Sequence, residues 1–300
     1  MIDKLEMFIA LANERHFGRA AERHGVTQPT LSAAIRQLEG ELGVQLVLRG
    51  ARFQGLTPEG ERVLDWARRI VTDSRQMRDE MRARRKGLSG SVRLGVIPTA
   101  LPMVAGLASP FLKRHPNLRV QILSRTSVEI LSEMESLQLD AGISYLDNEP
   151  LGRVTTVPLY REHYRLLVRA DDPLAKADSL RWADLATVNL CLLVSTMQNR
   201  RIIDRYLAQA GVSVQAAVES NSLMALVGQV LSGGWATIIT EQAARMFANR
   251  PDLVALTLSD GAAPGPEVGL ITPWRATHTP VLAALIEAAE RLRRNAPDGA

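Results

Sequence analysis

An α-helical head carrying a winged helix-turn-helix, a long linking helix and a two-lobed α/β domain is the architecture this 300-residue chain predicts. Three observations predict it. Residues 1 to 50 set helical apolar stripes on either side of a glycine turn, residues 58 to 86 contain no internal helix breaker after the first turn, and the remainder alternates strand-like with helix-like segments in two successive runs. The length alone calls for more than one core.

With 46% hydrophobic and 23% charged residues, the chain has the apolar surface for packed cores, which excludes disorder throughout. The opening residues MIDKLEMFIA lack the pattern of an export leader, and no stretch approaches the length of a membrane span, so a cytoplasmic protein without a membrane partner is expected. Charge is unevenly placed. Residues 1 to 87 hold 16 Lys and Arg against 12 Asp and Glu, whereas residues 88 to 300 hold 20 of each. A basic module on a neutral remainder suits a nucleic-acid-binding head joined to a domain with another task. The single cysteine, Cys191, excludes an intramolecular disulfide, and its setting LCLLV reads as a buried strand.

In the head, Leu5, Phe8, Ile9, Leu11 and Ala12 recur at helical spacing and predict a helix over 3 to 14. A short helix follows from Phe17, and Gly25 supplies the positive φ of a tight turn. Thr27 then caps a third helix with Pro29 in its first turn and Leu31, Ile35, Leu38 and Leu42 as the inward stripe. A helix braced in this way fits the DNA major groove, with Gln28, Thr30, Ser32 and Arg36 as base readers; singly, each is equally an ordinary surface residue. VQLVLRGARFQGLTPEG reads as a hairpin wing whose Arg49 and Arg52 grip phosphate or enter the minor groove. From Pro58 to Lys86, Val63, Ala67, Ile70, Ser74, Met77 and Met81 form a heptad-like seam. It calls for a partner helix from a second copy, with packing onto the chain's own head as the alternative.

RARRKGLSG marks a hinge, and the domain boundaries fall at 1–57, 58–87 and 88–300. SVRLGVI, RVQIL and DAGISY, separated by helical segments, predict a parallel sheet in a first lobe. Residues 163 to 266, through Tyr164–Arg169, LCLLV, QAAVES and WATIIT, repeat the rhythm as a second lobe, and PEVGLI with a final helix returns to the first, which spans 91–162 and 267–300. Ligands of open α/β sheets sit beyond the carboxyl ends of strands, where helix N-termini offer free N–H groups. Three strand ends qualify: Thr99 and Ala100 after the first strand, Thr126 and Ser127 after the second, and Gln198, Asn199 and Arg200 in the other lobe. For Thr126 and Ser127 the alternative is a plain helix cap, and for Arg200 a pair with Asp204 one turn on.

The segments FGRAAERHGVTQPTLSAAIRQLEGELGVQLVLR and LTPEG, followed by GVIPTALP, HPNLRV, LQLDAGI, DDPLA, WADLA and VGQVLSGGWATII, closely resemble the LysR-type transcriptional regulators along almost the whole chain. The resemblance implies a winged helix-turn-helix, a linker helix and a two-lobed effector domain of the type 2 periplasmic-binding-protein kind. It also implies a regulator of double-stranded promoter DNA that acts as a homodimer or as a tetramer built from two dimers, with RNA polymerase as a candidate further partner. A small-molecule effector, with a small anion as one candidate, would lie between the lobes, and no cofactor is expected. Residue by residue, the family pattern assigns recognition-helix roles to Gln28, Pro29, Ser32 and Arg36 and a wing role to Arg49. The chain departs from it at Ala33 and Ala34, which cannot hydrogen-bond a base, and in the wing sequence GARFQG. Some members of the family sense oxidants through a cysteine at the start of the second lobe's first helix; here that stretch is STMQNR, without a thiol.

Two other classes compete. The five histidines, at 16, 24, 115, 163 and 278, show no paired metal-ligand spacing, and neither a nucleophile elbow nor a phosphate loop is present, so an enzyme is not expected. A solute-binding protein would leave the basic first 87 residues without a task.

Overall fold

The computed structural model describes residues 1–48, 53–259, 265–274 and 277–295, with the side chains of 79 and 82–86 left aside. Two compact units emerge: Met1–Leu88 with His278–Pro280, and Ser89–Thr277 with Val281–Ala300.

In the first unit, helices α1 (Ile2–Glu14), α2 (Phe17–Arg23) and α3 (Gln28–Leu42) close around Leu5, Phe8, Leu11, Ala20, Leu31, Ile35 and Leu38, all buried. The turn between α2 and α3 rests on Gly25, whose φ of 68° is the left-handed conformation its lack of a side chain permits. Thr27 caps α3. Leu42 departs from the predicted stripe and stands 40% exposed, because α3 stops there and Gly43 turns the chain away. Glu39 of α3 then orients the exit, accepting from the backbone N–H groups of Leu46 and Val47 at 2.8 and 3.2 Å. The wing begins as one antiparallel bridge between Val47 and Leu56; its tip, with Arg49 and Arg52, lies outside the described residues.

Helix α4 (Pro58–Lys86) starts at Thr57, whose hydroxyl accepts from Gly60 N–H at 2.9 Å and donates to the Gln45 carbonyl at 2.5 Å. It packs on α1 through Leu64, Ala67 and Val71, so Ala67 belongs to the head's own core and not to the seam for a second copy. Val63 is half-buried. Ile70, Met77 and Met81 stay 40%, 61% and 49% exposed, as does the neighbouring Trp66 at 62%. The helix thus carries two apolar faces, one covered by α1 and one facing outward.

The second unit has two lobes. In lobe I, β1 (Gly90–Val96) lies parallel between β2 (Leu118–Ser124) and β3 (Ala141–Tyr145), and helices α5 (Leu101–Arg114) and α6 (Ser127–Glu135) make the crossovers. The chain then adds β4 (Val154–Arg161) and crosses into lobe II as β5 (Tyr164–Arg169), where β6 (Ser179–Leu180), β7 (Cys191–Leu193), α7 (Gln198–Gln209), β8 (Val218–Ser220), α8 (Leu223–Leu231), β9 (Thr237–Thr240), α9 (Glu241–Met246) and β10 (Leu253–Leu258) follow. It returns through β11 (Glu267–Pro273), antiparallel to both β3 and β4, and ends in α10 (Pro280–Asn295).

Lobe II does not repeat the parallel pattern of lobe I. Its main sheet runs β6-β10-β5-β9, with β5 antiparallel to β10 and β9, while β7 and β8 form a separate parallel pair. Alternation of strand and helix in a sequence does not carry strand direction, and β4 and β10 escaped the sequence reading altogether. Glu162 and His163 form the crossing, and Glu162 N–H donates to the Pro266 carbonyl at 2.9 Å, which ties the outgoing chain to the returning one.

Gly60 tests the packing at the base of α4, since a Cβ there would stand 2.1 Å from the Leu46 carbonyl oxygen. Gly60→Ala should destabilise the head by about 1–3 kcal/mol, an overpacking cost read by chemical denaturation. A stability equal to wild type would show that this approach is not so close.

Candidate functional site

Two sets of side chains stand out. On α3, Pro29, Ala33, Arg36 and Gln37 lie opposite the buried stripe and are exposed. Gln28 is exposed beside them and Ser32 is half-buried. Arg36 makes no ion pair with any other described residue. Thr30 is exposed, but its hydroxyl is engaged with that of Thr27 at 2.9 Å, within the helix cap. Gln37 was not among the sequence candidates, although its place one residue beyond Arg36 on the outward face would have marked it.

The second set lies between the lobes. An inner cavity of about 10 Å³ is lined by Thr99, Thr126 and Ser127 from lobe I and by Met197, Gln198 and Asn199 from lobe II, with Tyr145 at its wall. That is about the space of one water. Pro98, Thr126 and Met197 are shared with an open groove of about 720 Å³ outside it, which also touches Arg125, Glu129 and Glu219.

The strand ends deliver these residues unequally. Thr99 is 5% exposed, and its carbonyl accepts from the Thr240 hydroxyl of lobe II at 3.5 Å. Ala100 is fully buried with its N–H bonded to Ile97 O, so it supports the turn and does not line the cavity. Thr126 is a cap: its hydroxyl accepts from Glu129 N–H at 3.3 Å and donates to the Glu129 carboxylate at 2.9 Å. Ser127 is 5% exposed and its Oγ has no hydrogen-bond partner among the described residues. Gln198 reaches across to the Asp147 carbonyl at 3.3 Å. Arg200 follows the alternative reading, the pair with Asp204, and not the effector one. Its guanidinium turns away from the cavity to the Leu193 carbonyl at 2.7 Å, Asp204 at 2.8 Å and Glu219 at 2.6 Å, a fully engaged buried cation that fastens α7 to β7 and β8.

Behind the cavity is a group the sequence reading missed. Glu162 is 1% exposed, and its Oε2 accepts from the Tyr145 hydroxyl and from the Tyr164 hydroxyl at 3.3 Å. Asn199 Nδ2 donates to the Tyr145 oxygen at 2.9 Å and lies 3.5 Å from the same carboxylate. The Thr99 and Tyr145 hydroxyls are 3.3 Å apart. Glu162 Oε1 is buried and has no partner among the described residues. Burial pushes the Glu162 carboxyl up to about 7, and the hydrogen bonds from Tyr145, Tyr164 and Asn199 only partly oppose that. Burial also holds the Tyr145 and Tyr164 hydroxyls well above their ordinary range, which keeps them neutral. A lone acid between LYR and HYR, at the point where one strand run gives way to another, is the signal that could have found it.

The bridge is reinforced at the mouth. Arg201 of α7 holds Glu149 of lobe I at 2.8 and 2.9 Å, and Arg205 donates to Asn148 at 2.7 Å. The N-cap of α7, Met197, makes no side-chain cap bond, and Met197, Gln198 and Asn199 at this helix start line the cavity. Cys191 lies in β7, where burial raises its thiol above the ordinary value and Sγ donates to the Ala236 carbonyl at 3.4 Å. Among the described residues no cluster of His, Cys, Asp and Glu could hold a metal ion, and no helix is long and apolar enough to cross a membrane.

Comparison with known proteins gives matches over both units. The model of the LysR substrate binding domain matches residues 85–293, and that of the bacterial regulatory helix-turn-helix protein, lysR family, matches 2–61. The DNA-binding transcriptional dual regulator OxyR of Escherichia coli is 31% identical over 256 residues, 85% of this chain and 84% of that one. A probable hydrogen peroxide-inducible genes activator of Mycobacterium avium is 32% identical over 273 residues, 89% and 86% of the two chains. A full-length OxyR variant from Pseudomonas aeruginosa has a TM-score of 0.76 at 26% identity, over 99% of this chain and 98% of that one.

The raised Glu162 predicts a pH signature. Folding binds this proton more tightly than the unfolded chain does. The stability it contributes is therefore complete below the ordinary glutamate pKa of about 4.3 and is lost as pH rises through about 7. Relative to Glu162→Gln, wild type should lose roughly 2–3 kcal/mol between pH 5 and pH 8, measured by urea unfolding at both pH values. Parallel pH profiles of the two proteins would refute the shift.

Proposed function

The chain belongs to the LysR family of bacterial helix-turn-helix transcriptional regulators, and on that footing we propose how its reading head and effector site are built. It is a DNA-binding regulator, not an enzyme, and its second unit is an effector-binding domain that answers to a small molecule. The effector binds between the lobes, one polar atom toward the small cavity lined by Thr99, Ser127, Gln198 and Asn199 and its body in the open groove. The observation that carries this reading is a buried Ser127 Oγ without a partner among the described residues, in a residue that lines a cavity to which both lobes contribute.

The ligand class is a small anion held by hydroxyls and helix N-termini, since the side chains lining the inner cavity include no Lys or Arg and Arg200 is already engaged. The name of the Mycobacterium avium relative refers to hydrogen peroxide. Here the one cysteine is buried with a raised thiol pKa, which favours a reversibly bound effector over thiol oxidation.

At the head, Gln28, Pro29, Ser32, Arg36 and Gln37 read the major groove, Thr30 supports the cap, and Arg49 and Arg52 hold the backbone. The outward face of α4, with Ile70, Met77, Met81 and the half-buried Val63, pairs with a second copy, and two such dimers make a tetramer. Its place of action is the cytoplasm, where the promoter DNA is.

One set of measurements checks both sites. In a thermal-shift screen of metabolites on the full-length protein, an effector that stabilises wild type should bind Thr99→Val about 10- to 100-fold more weakly, the loss of one charge-assisted bond. Arg36→Ala should lose about 1–3 kcal/mol of discrimination between operator and random DNA in gel-shift titrations. Equal effector affinity in Thr99→Val removes the hydroxyl from the site, and undiminished discrimination removes Arg36 from the readers.

A further inference from the structure

We propose that Glu162 sets the hydrogen-bond polarity of the effector cavity through Tyr145 and Thr99, so that a carboxylate effector binds with uptake of a proton by Glu162. The proposal rests on the reading that the effector sits against Thr99. It identifies Glu162 as a positioning residue for specificity, since the carboxyl does not line the cavity itself.

The geometry supplies the relay. Tyr145 stands between Glu162 and Thr99, bonded to the first and 3.3 Å from the second, with Asn199 Nδ2 donating to it at 2.9 Å. A phenol has one proton to give. With Glu162 ionised, the Tyr145 hydroxyl keeps its proton and donates a hydrogen bond to Glu162 Oε2, and its oxygen accepts from Asn199 and from the Thr99 hydroxyl. Thr99 then shows the cavity only lone pairs, which repel an anion. With Glu162 protonated on Oε2, the carboxyl donates to the Tyr145 oxygen, Tyr145 turns its proton to Thr99, and the Thr99 hydroxyl donates into the cavity. No bond other than O–H changes, and the proton comes from solvent. Asn199 keeps its bond to Tyr145 in both states.

The surroundings allow Glu162 to take either form. The groups facing it are the hydroxyls of Tyr145 on β3, Tyr160 on β4 and Tyr164 on β5, and Asn199 on α7, with Tyr206 of α7 packed against Tyr164 at 5.8 Å. Among the described residues no cation bonds to it. Arg161 turns to Glu267 at 3.2 Å and to the Gly265 carbonyl at 3.0 Å, Arg165 pairs with Glu241 at 2.5 Å, and His163 is exposed on the far side of the crossing. Oε1 remains without a partner, a situation that a neutral carboxyl tolerates better than a carboxylate. Burial places the change of form near neutral pH, at about 7. On the cavity side, Ser127 Oγ and the uncapped first turn of α7 provide further donors for an anion.

The test uses the full-length protein with acetate, succinate and benzoate as probes, titrated by calorimetry at pH 6, 7 and 8 in two buffers of different ionisation heat. Near pH 7 a bound probe should draw in about half a proton from the buffer, and its affinity should fall roughly tenfold from pH 6 to pH 8. The carboxyls of acetate and benzoate stay ionised over that range, and succinate's second carboxyl does so from pH 7 upward. Glu162→Gln should abolish the uptake and give one affinity at all three pH values. Tyr145→Phe, which leaves Glu162 in place but breaks the relay, should do the same. Absence of binding by every probe at pH 6, binding without proton uptake, or uptake unchanged in Glu162→Gln overturns the proposal. Thr99→Val separates the two claims: weaker probe binding there, with uptake surviving Glu162→Gln, leaves the site at Thr99 standing and removes the proton coupling. Affinity unaffected by Thr99→Val at every pH removes the site itself.

Discussion

A carboxylate buried where a chain crosses between two lobes must be solvated by the protein, and the arrangement of this effector domain follows from which groups do it. Glu162 draws Tyr145 from lobe I and Tyr164 and Asn199 from lobe II around one oxygen. An uncompensated buried charge would cost several kcal/mol, so these donors are held in place as firmly as any core side chain. Their positions fix the rest. Asn199 sets the start of α7, Tyr145 sets the end of β3, and the cavity is what remains between them. Relative motion of the lobes has to break or rearrange these same bonds, which is why a ligand in that cavity has leverage over the domain's conformation.

The head solves a different problem. Its recognition helix has to be rigid yet almost unpacked on its outer side, and rigidity comes from below: Leu31, Ile35 and Leu38 are buried, Thr27 caps the start, and Glu39 fastens the departing chain. Helix α4 then carries two apolar faces. Leu64, Ala67 and Val71 bury against α1, while Trp66, Ile70, Met77 and Met81 remain outside at a cost in exposed apolar surface that a partner would relieve.

How much of this was legible in the sequence depended on whether the controlling interactions were local. Helix limits were readable to a residue or two, because caps such as Thr27 and Thr57 and turns such as Gly25 act within one turn of chain. Strand direction in lobe II was not, because pairing of β5 with β10 is decided some ninety residues away along the chain. The heptad spacing on α4 was real but ambiguous: it did not show that Ala67 is buried in the head while Ile70 stays exposed. In the site, the strand ends were found from topology and gave Thr99, Ser127, Gln198 and Asn199. For Arg200 the sequence left two sides open, and the pair with Asp204 is the one that forms, while Glu219, its second partner, comes from a distant strand and was not readable. Tyr145, Glu162 and Tyr164 were missed because each reads singly as a strand residue and only the fold makes them a network.

Through Glu162, Asn199 and Thr99 the Tyr145 hydroxyl joins the two lobes. Hydrogen exchange of the full-length Tyr145→Phe variant against wild type tests it most directly. Losing that bond should raise exchange about 10- to 100-fold in the first turns of α7 and at the end of β3, while amides in β1, β2 and β9 keep their protection. Unchanged exchange at the start of α7, or an equal loss of protection across both lobes, would show that this hydroxyl does not hold the lobes in register.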